Sequence, residues 1–193
     1  MHRKMLICPA LFLLLASASA QTEIWKIDPA HSAAQFSVKH LAISTVRGQF
    51  QKVSGTVDYD PGDVAKTSID VSIDAVSVDT RVDTRDRDLR GPNFLDVQKF
   101  PAITFKSTRV EAAASGKLKV TGDLTIHGVT KEVVLDVDGP TAPITAMGGL
   151  RMGASATTKI NRKDFGVNGA PSIVGDDISI TLDVEAMKPA AGH

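Results

Sequence analysis

The sequence predicts an all-β domain: an eight-stranded antiparallel barrel, with a sandwich as the alternative packing of the same strands. Three observations carry this. The dominant hydrophobic period is two residues, as where Ile178, Ile180, Leu182 and Val184 alternate with Ser179, Thr181, Asp183 and Glu185; strands with one dry and one wet face read this way. Eight such runs are separated by turn signals such as Asp60-Pro61-Gly62, Ser115-Gly116, His127-Gly128 and Gly139-Pro140. Many runs exceed eight residues, which favours long, tilted staves.

Taken in order, the chain begins with Arg3 and Lys4, an apolar stretch from Met5 to Ala16, and Ala18-Ser19-Ala20. This is the layout of a signal peptide over residues 1–20, with Gln21 as the mature N-terminus. The apolar stretch is shorter than the roughly 20 residues a membrane span needs, so no stable membrane insertion is expected after cleavage. Cys8 is the only cysteine and falls inside this segment. The mature chain then has no disulfide, thiol nucleophile or cysteine metal ligand, which suits an oxidising compartment. A periplasmic or secreted protein is expected.

Strands are expected near 24–40 (broken at Pro29), 48–59, 67–75, 102–112, 117–127, 131–138, 147–160 and 176–187. One segment breaks the period. Thr80 to Arg90, followed by Gly91-Pro92, reads as a short helix with its stop signal. Asp83 with Arg87 and Asp86 with Arg90 are acid-before-base pairs at four-residue spacing, worth a few tenths of a kcal/mol each, about the usual value. With Phe94, Leu95, Val97 and Phe100 behind it, the stretch near 81–100 is expected to be a helical crossover covering one end of the barrel. Residues 161–175 form a second irregular stretch.

Composition narrows the function classes. The 193 residues carry 22 basic and 22 acidic side chains, without the basic excess of a nucleic-acid binder. Nine aromatics are too sparse for base-stacking platforms. The length fits one domain, residues 21–193. Asp-rich 79–88 is interleaved with Arg81, Arg85 and Arg87, so it reads as a salt-bridged, solvated helix face and not a calcium loop. His31, His40, His127 and His193 lack the spacing of a metal pair. No nucleophile elbow or phosphate loop occurs. Neither a metal, a cofactor nor a catalytic set is expected, although distant residues can assemble a triad; His40 or His127 beside Asp164 would be the base of such an enzyme. Small residues on the inner face (Ala34, Gly55, Gly122, Ala154, Ala156) leave volume for a ligand, or larger neighbours fill it; the pattern leaves both open.

Five blocks resemble one family. Trp25-Lys-Ile-Asp-Pro-Ala-His-Ser32 with Phe36-Ser-Val-Lys-His40 and Val46-Arg-Gly-Gln-Phe50, then Asn93-Phe-Leu-Asp96, Phe100-Pro-Ala-Ile-Thr-Phe-Lys-Ser107, Gly122-Asp-Leu-Thr-Ile-His-Gly-Val-Thr130 and Ile160-Asn-Arg-Lys-Asp-Phe-Gly166 are similar, in order, to the signatures of YceI-like proteins. The resemblance implies a lipocalin-like barrel, exported to the periplasm, enclosing a polyisoprenoid or another long-chain lipid. One departure stands out: Asp88 follows Arg87 where the family usually has His. For the lining, the expected residues are Phe36, Val38, Phe50, Phe94, Phe100, Phe105, Leu124, Met152 and Phe165. At the mouth they are His40, Arg47, Asp88, Arg162 and Asp164; an ion pair pinning the loop is an equal reading of Arg162 and Asp164. The expected partner is a long-chain isoprenoid or other amphiphilic lipid, held for storage or transport. No nucleic-acid partner is expected, and a homodimer is allowed. Burying about ten methylenes would contribute roughly 8 kcal/mol before ordering costs, so apolar walls alone suffice for useful affinity. A structural or stress-protective envelope protein, working through an exposed apolar patch, is the remaining alternative.

Overall fold

The computed structural model describes residues 23–189. The expected signal peptide, Cys8 and His193 lie outside the described residues. Twelve strand segments appear: β1 (Glu23–Ile27), β2 (Ala33–His40), β3 (Ser44–Phe50), β4 (Val53–Tyr59), β5 (Ser68–Asp74), β6 (Val78–Asp79), β7 (Ala102–Ala112), β8 (Lys117–Ile126), β9 (Val129–Asp138), β10 (Ile144–Ala146), β11 (Gly149–Asn161) and β12 (Val174–Pro189), with one helix, α1 (Asp83–Arg90). Twelve segments make eight staves. β1 and β2 share β12 as a partner, and β3 and β4 run back along β2 and β1. β5 and β6 continue along β4 and β3. From there each stave pairs with the next, β5 to β7, β7 to β8, β8 to β9, β9 to β11 and β11 to β12, which closes the ring. Every pairing is antiparallel, so the fold is an up-and-down closed barrel.

Local chemistry explains the breaks. At Pro29 the ladder stops, and the Asp28 carboxylate accepts the Ala30 N–H at 3.0 Å, making a side-chain turn. The 48–59 stave differs from expectation: it starts at Ser44 and is interrupted at Gln51-Lys52, whose N–H groups donate to the Ser77 carbonyl and hydroxyl at 3.2 and 3.1 Å. Met147 and Gly148, assigned to a strand by the period, form the turn of a β10–β11 hairpin; both have positive φ. Closure is uneven around the ring. β11 matches β12 over thirteen residue pairs, and β9 over three.

The helix forms where the sequence places it, three residues later, but its charges do other work. The Asp86 carboxylate is buried and accepts from the Thr80 N–H and hydroxyl at 2.9 and 2.5 Å. Arg90 donates to the carbonyls of Val76 and Val78 at 2.8 and 2.7 Å, and Arg85 to that of Thr80 at 2.9 Å. Neither expected four-residue ion pair forms: Asp86 and Arg90 are taken by backbone partners away from the helix, and Arg87 donates to the Asp83 carbonyl at 3.4 Å instead of its carboxylate.

The alternation sends apolar residues inward and charges outward. Val110, Val120, Leu135, Val137 and Ile160 belong to one large buried cluster; Trp25, Met152 and Ala186 form a smaller one. Outside, Lys117 meets Asp138 at 3.3 Å and Lys119 meets Asp136 at 3.0 Å across β8 and β9. A membrane barrel shows the reverse, an apolar outer band. No helix among the described residues is long and apolar enough to cross a membrane.

Candidate functional site

The barrel encloses a cavity of about 300 Å³, at the low end of the roughly 300–1,000 Å³ of ligand pockets. Its wall is built from the inward set of every stave. Phe36, Val38, Phe50, Phe105, Leu124 and Met152 line it from the strands; Phe94 and Phe165 line it from the crossover and from the 3-10 turn Arg162–Phe165. It runs from Tyr59, Thr67 and Met152 at the end closed by short turns to Val38, Leu89, Phe94 and Val174 at the other. That second end carries the 41–43 turn, the 80–101 crossover, the 127–128 turn and the 162–173 loop; it is the crossover end, and its opposite is the hairpin end.

Four phenylalanine rings lie against four glycines. A methyl group on Gly122 would stand 2.5 Å from the Phe105 ring, and one on Gly48 2.5 Å from Phe36. Phe100 covers Gly128 and Phe94 covers Gly169 in the same way. The volume that Gly122 appeared to leave free in the sequence is therefore occupied by a neighbouring ring, while Ala34, Ala154 and Ala156 do face the cavity. Aromatic rings covering glycines recover packing that the missing side chain would forfeit.

One residue expected in the lining, Phe100, is not part of the cavity wall, and four expected at the mouth, His40, Arg47, Asp88 and Asp164, lie outside that wall at the crossover end. Phe100 turns outward, its ring 4.7 Å from that of His127, centroid to centroid. His40 sits at the last pair of β2, opposite Ser44 and Val174, one step beyond the lining residue Val38. Arg47 has the wrong parity: Val46 and Gly48 share the inward face, and Arg47 is exposed. Asp88 is exposed on α1, whose next residue, Leu89, reaches the cavity. Asp164 is exposed, and Phe165 takes the inner position of that turn. Among the lining residues that the sequence reading does not single out are Leu89 and Val174, at the crossover end; Leu89 is the one apolar residue in the charged run 83–90, which is the available signal.

Arg162 lines the cavity wall but spends its charge elsewhere. It is 4% exposed. Its guanidinium donates to the carbonyls of Gly175, Val167, Gly169 and Val174 at 2.8 to 3.0 Å. Its ionic partner is Asp176 at 3.4 Å, not Asp164. Arg162 thus pins the 167–175 loop over the barrel end, using the planar fork of donors that only arginine offers.

A polar cluster lies on the outer surface near the hairpin end. Asp28 accepts from Arg151 at 2.7 Å and lies 2.9 Å from the His31 ring, and Arg151 also pairs with Glu185. The hydrogen bond from Arg151, then those from His31 and the Ala30 N–H, hold the Asp28 carboxyl well below the usual carboxylate range. Asp28, His31 and Glu185 could converge on a metal ion, but the Arg151 guanidinium already stands between the two carboxylates and supplies the positive charge. Histidines 40 and 127 are both absent from the cavity wall, so neither has the placement of a general base acting inside it.

A family model described as "YceI-like domain" matches residues 25–186. A UPF0312 protein of Vibrio cholerae is 37% identical over 166 residues, covering 85% of this chain and 88% of its own. Among solved structures, Burkholderia cenocepacia BcnA aligns with a TM-score of 0.73 at 26% identity, covering 82% of this chain and 98% of its own. A polyisoprenoid binding domain from Saccharophagus degradans, implicated in plant cell wall breakdown, aligns with a TM-score of 0.65 at 17% identity, covering 86% of this chain and 98% of its own, and shares the fold. A closed antiparallel barrel, a matching family model across nearly all the described residues, and full-length relatives lead to one conclusion: this chain belongs to the YceI-like domain family.

Proposed function

We propose that the protein is a carrier that holds a long-chain isoprenoid or similar amphiphilic lipid in the barrel, for storage or transport in the periplasm or outside the cell. The observation that carries this reading is the chemistry of the wall. Phe36, Val38, Phe50, Phe94, Phe105, Leu124, Met152 and Phe165 contribute apolar surface, and the one charged residue among the wall residues, Arg162, has its donors engaged by carbonyls. Such a cavity rewards hydrocarbon and penalises any polar group brought inside without a partner. The ligand's polar end therefore stays at an opening while its chain occupies the interior. The neighbour named as a polyisoprenoid binding domain supports the same ligand class.

The test is mass spectrometry of an organic extract of the mature protein purified from its native envelope without detergent. A stoichiometric long-chain lipid, enriched over the membrane background, is expected. An empty extract, together with no uptake of added prenyl lipid, overturns the reading.

A further inference from the structure

The turn between β2 and β3 is built against the usual chemistry of hairpins. Ile43 N–H donates to the His40 carbonyl at 3.1 Å, and the two central residues, Leu41 and Ala42, have φ of 50° and 58°. Two consecutive left-handed residues ordinarily call for Asn-Gly or another glycine pair, because a side chain there costs of the order of 1 kcal/mol per residue. Here the strained positions carry Leu and Ala, and Ile follows. The result is an apolar tip: Ile43 is 83% exposed and Leu41 52%. Beside it stands Ile173, 45% exposed, whose carbonyl accepts the Leu41 N–H at 2.7 Å and so ties the tip to the 162–173 loop. Three large aliphatic side chains are thereby held together in solvent at the crossover end. Directly behind them, Val38 and Val174 belong to the cavity wall.

The strands that carry the tip bring two cations without an acid partner. Lys39 and Arg47 lie on the outer face of β2 and β3, and among the described residues neither meets a carboxylate; Lys39 instead bonds Thr45 at 3.1 Å. The acids beside these two strands are neutralised, Asp176 by Arg162 and Lys163 and Asp177 by Lys159; farther round the same end the exposed Asp83, Asp88 and Asp164 have no ion pair among the described residues, and neither do the exposed Arg81 and Arg87 that share the crossover with the first two. Aliphatic residues at a tip with cations around its shoulder match the interface of an anionic lipid bilayer, where apolar side chains enter below the headgroups and Lys or Arg meet the phosphates.

We propose that Leu41, Ile43 and Ile173 form a membrane-docking tip that seats the crossover end on an anionic bilayer, with Lys39 and Arg47 as headgroup contacts. The inference rests on the carrier reading, since a water-insoluble chain must be exchanged with a bilayer. Docking at this end places the Val38 and Val174 part of the cavity wall next to the lipid phase.

The test is flotation of residues 21–193, which contain the whole closed barrel and omit the apolar stretch Met5 to Ala16, with vesicles of equimolar phosphatidylglycerol and phosphatidylcholine. Uptake of a fluorescent prenyl chain from cyclodextrin, without vesicles, is measured in parallel. The protein is expected to float with the vesicles, and Ile43→Ser to weaken binding by at least about tenfold, the worth of one buried aliphatic side chain. Leu41→Ser acts in the same direction. Lys39→Gln with Arg47→Gln is expected to weaken binding by about thirtyfold, from about fivefold per cation at a charged surface. All variants should keep uptake from cyclodextrin. Failure of the unmodified protein to float, equal flotation of the Ile43 variant, or concentration-dependent self-association that Ile43→Ser abolishes while flotation is absent would each overturn the docking proposal. Loss of uptake by the unmodified protein would overturn the carrier reading itself, whatever the flotation result.

Discussion

The two ends of the barrel are held together by different chemistry. At the hairpin end the turns 60–67, 113–116 and 139–148 join neighbouring staves, so most backbone groups stay in a ladder or close within the turn. Asp60 is typical: fully buried, it accepts the N–H groups of Gly62 and Asp63 at 2.8 and 2.9 Å. At the crossover end, 80–101 and 162–173 travel across the barrel with no strand partner, and their flanking carbonyls are satisfied by Arg85, Arg90 and Arg162. Where the sheet supplies hydrogen bonds, side chains are free to be chosen for packing. Where it does not, arginine replaces the missing ladder.

The sharpest way to break this contrast is Arg162→Met. It leaves four carbonyls without their donor in a place water reaches poorly, and the expected loss is of the order of 3–5 kcal/mol, read by urea unfolding. Arg162→Lys should not rescue it, because a single ammonium cannot reach a planar array of four acceptors. A loss below about 1 kcal/mol would show that the loop stands without its pin.

A glycine at each end gives the next comparison. Gly169→Ala would place a methyl 2.5 Å from the Asn93 carbonyl and 2.8 Å from the Phe94 ring; overpacking of this kind costs about 1–3 kcal/mol. It should also press Phe94 into the cavity and reduce prenyl uptake. Gly116→Ala, at the hairpin end, meets no atom within 4 Å but has φ of 72°. Its expected cost is about 1 kcal/mol from the backbone alone, with uptake unchanged. Equal effects on uptake would erase the distinction between the ends.

The Asp28 cluster supplies a pH dependence. Because Arg151 holds the Asp28 carboxyl below its ordinary value, its contribution is complete above the unfolded value of about 4 and is lost as pH falls below it. Acid unfolding of Asp28→Asn should therefore run parallel to that of the unmodified protein at neutral pH and converge with it under strong acid. Two curves that stay equally far apart from neutral to acid pH would refute the linkage. Smallest of all is Lys119→Ala: its pair with Asp136 is more than half exposed on both sides, and a change within about 0.5 kcal/mol is expected.

Much of the barrel was legible because alternation is a strand's own property. The inward set of β11 and β12 follows from parity alone, and Phe36, Phe105, Leu124 and Met152 sit on the wall for that reason. What parity could not give was the crossover end. Asp83 with Arg87 and Asp86 with Arg90 look like surface ion pairs by spacing, yet Asp86 and Arg90 are taken by backbone partners made available only when the chain crosses the barrel. The parity of β3 turns Arg47 to the outer face, and Phe100, expected in the lining, has no strand parity to orient it: its ring lies against Gly128 instead. The tip at Leu41 to Ile43 carried no turn residue for the period to register.

The closure of the ring has a consequence for where the chain needs to begin. Lys26 lies opposite Met187, and Lys188 reaches the carboxylate of Glu23. The first and last staves are thus neighbours like any others, and the described ends meet at one rim. A short linker from Pro189 to Glu23, with new termini opened in the exposed Ala114–Gly116 turn, would keep every stave beside its partner. Circular rearrangement of this kind is tolerated where backbone at the cut is exposed and lightly bonded, so the order in which the staves are synthesised is separable from the architecture they build.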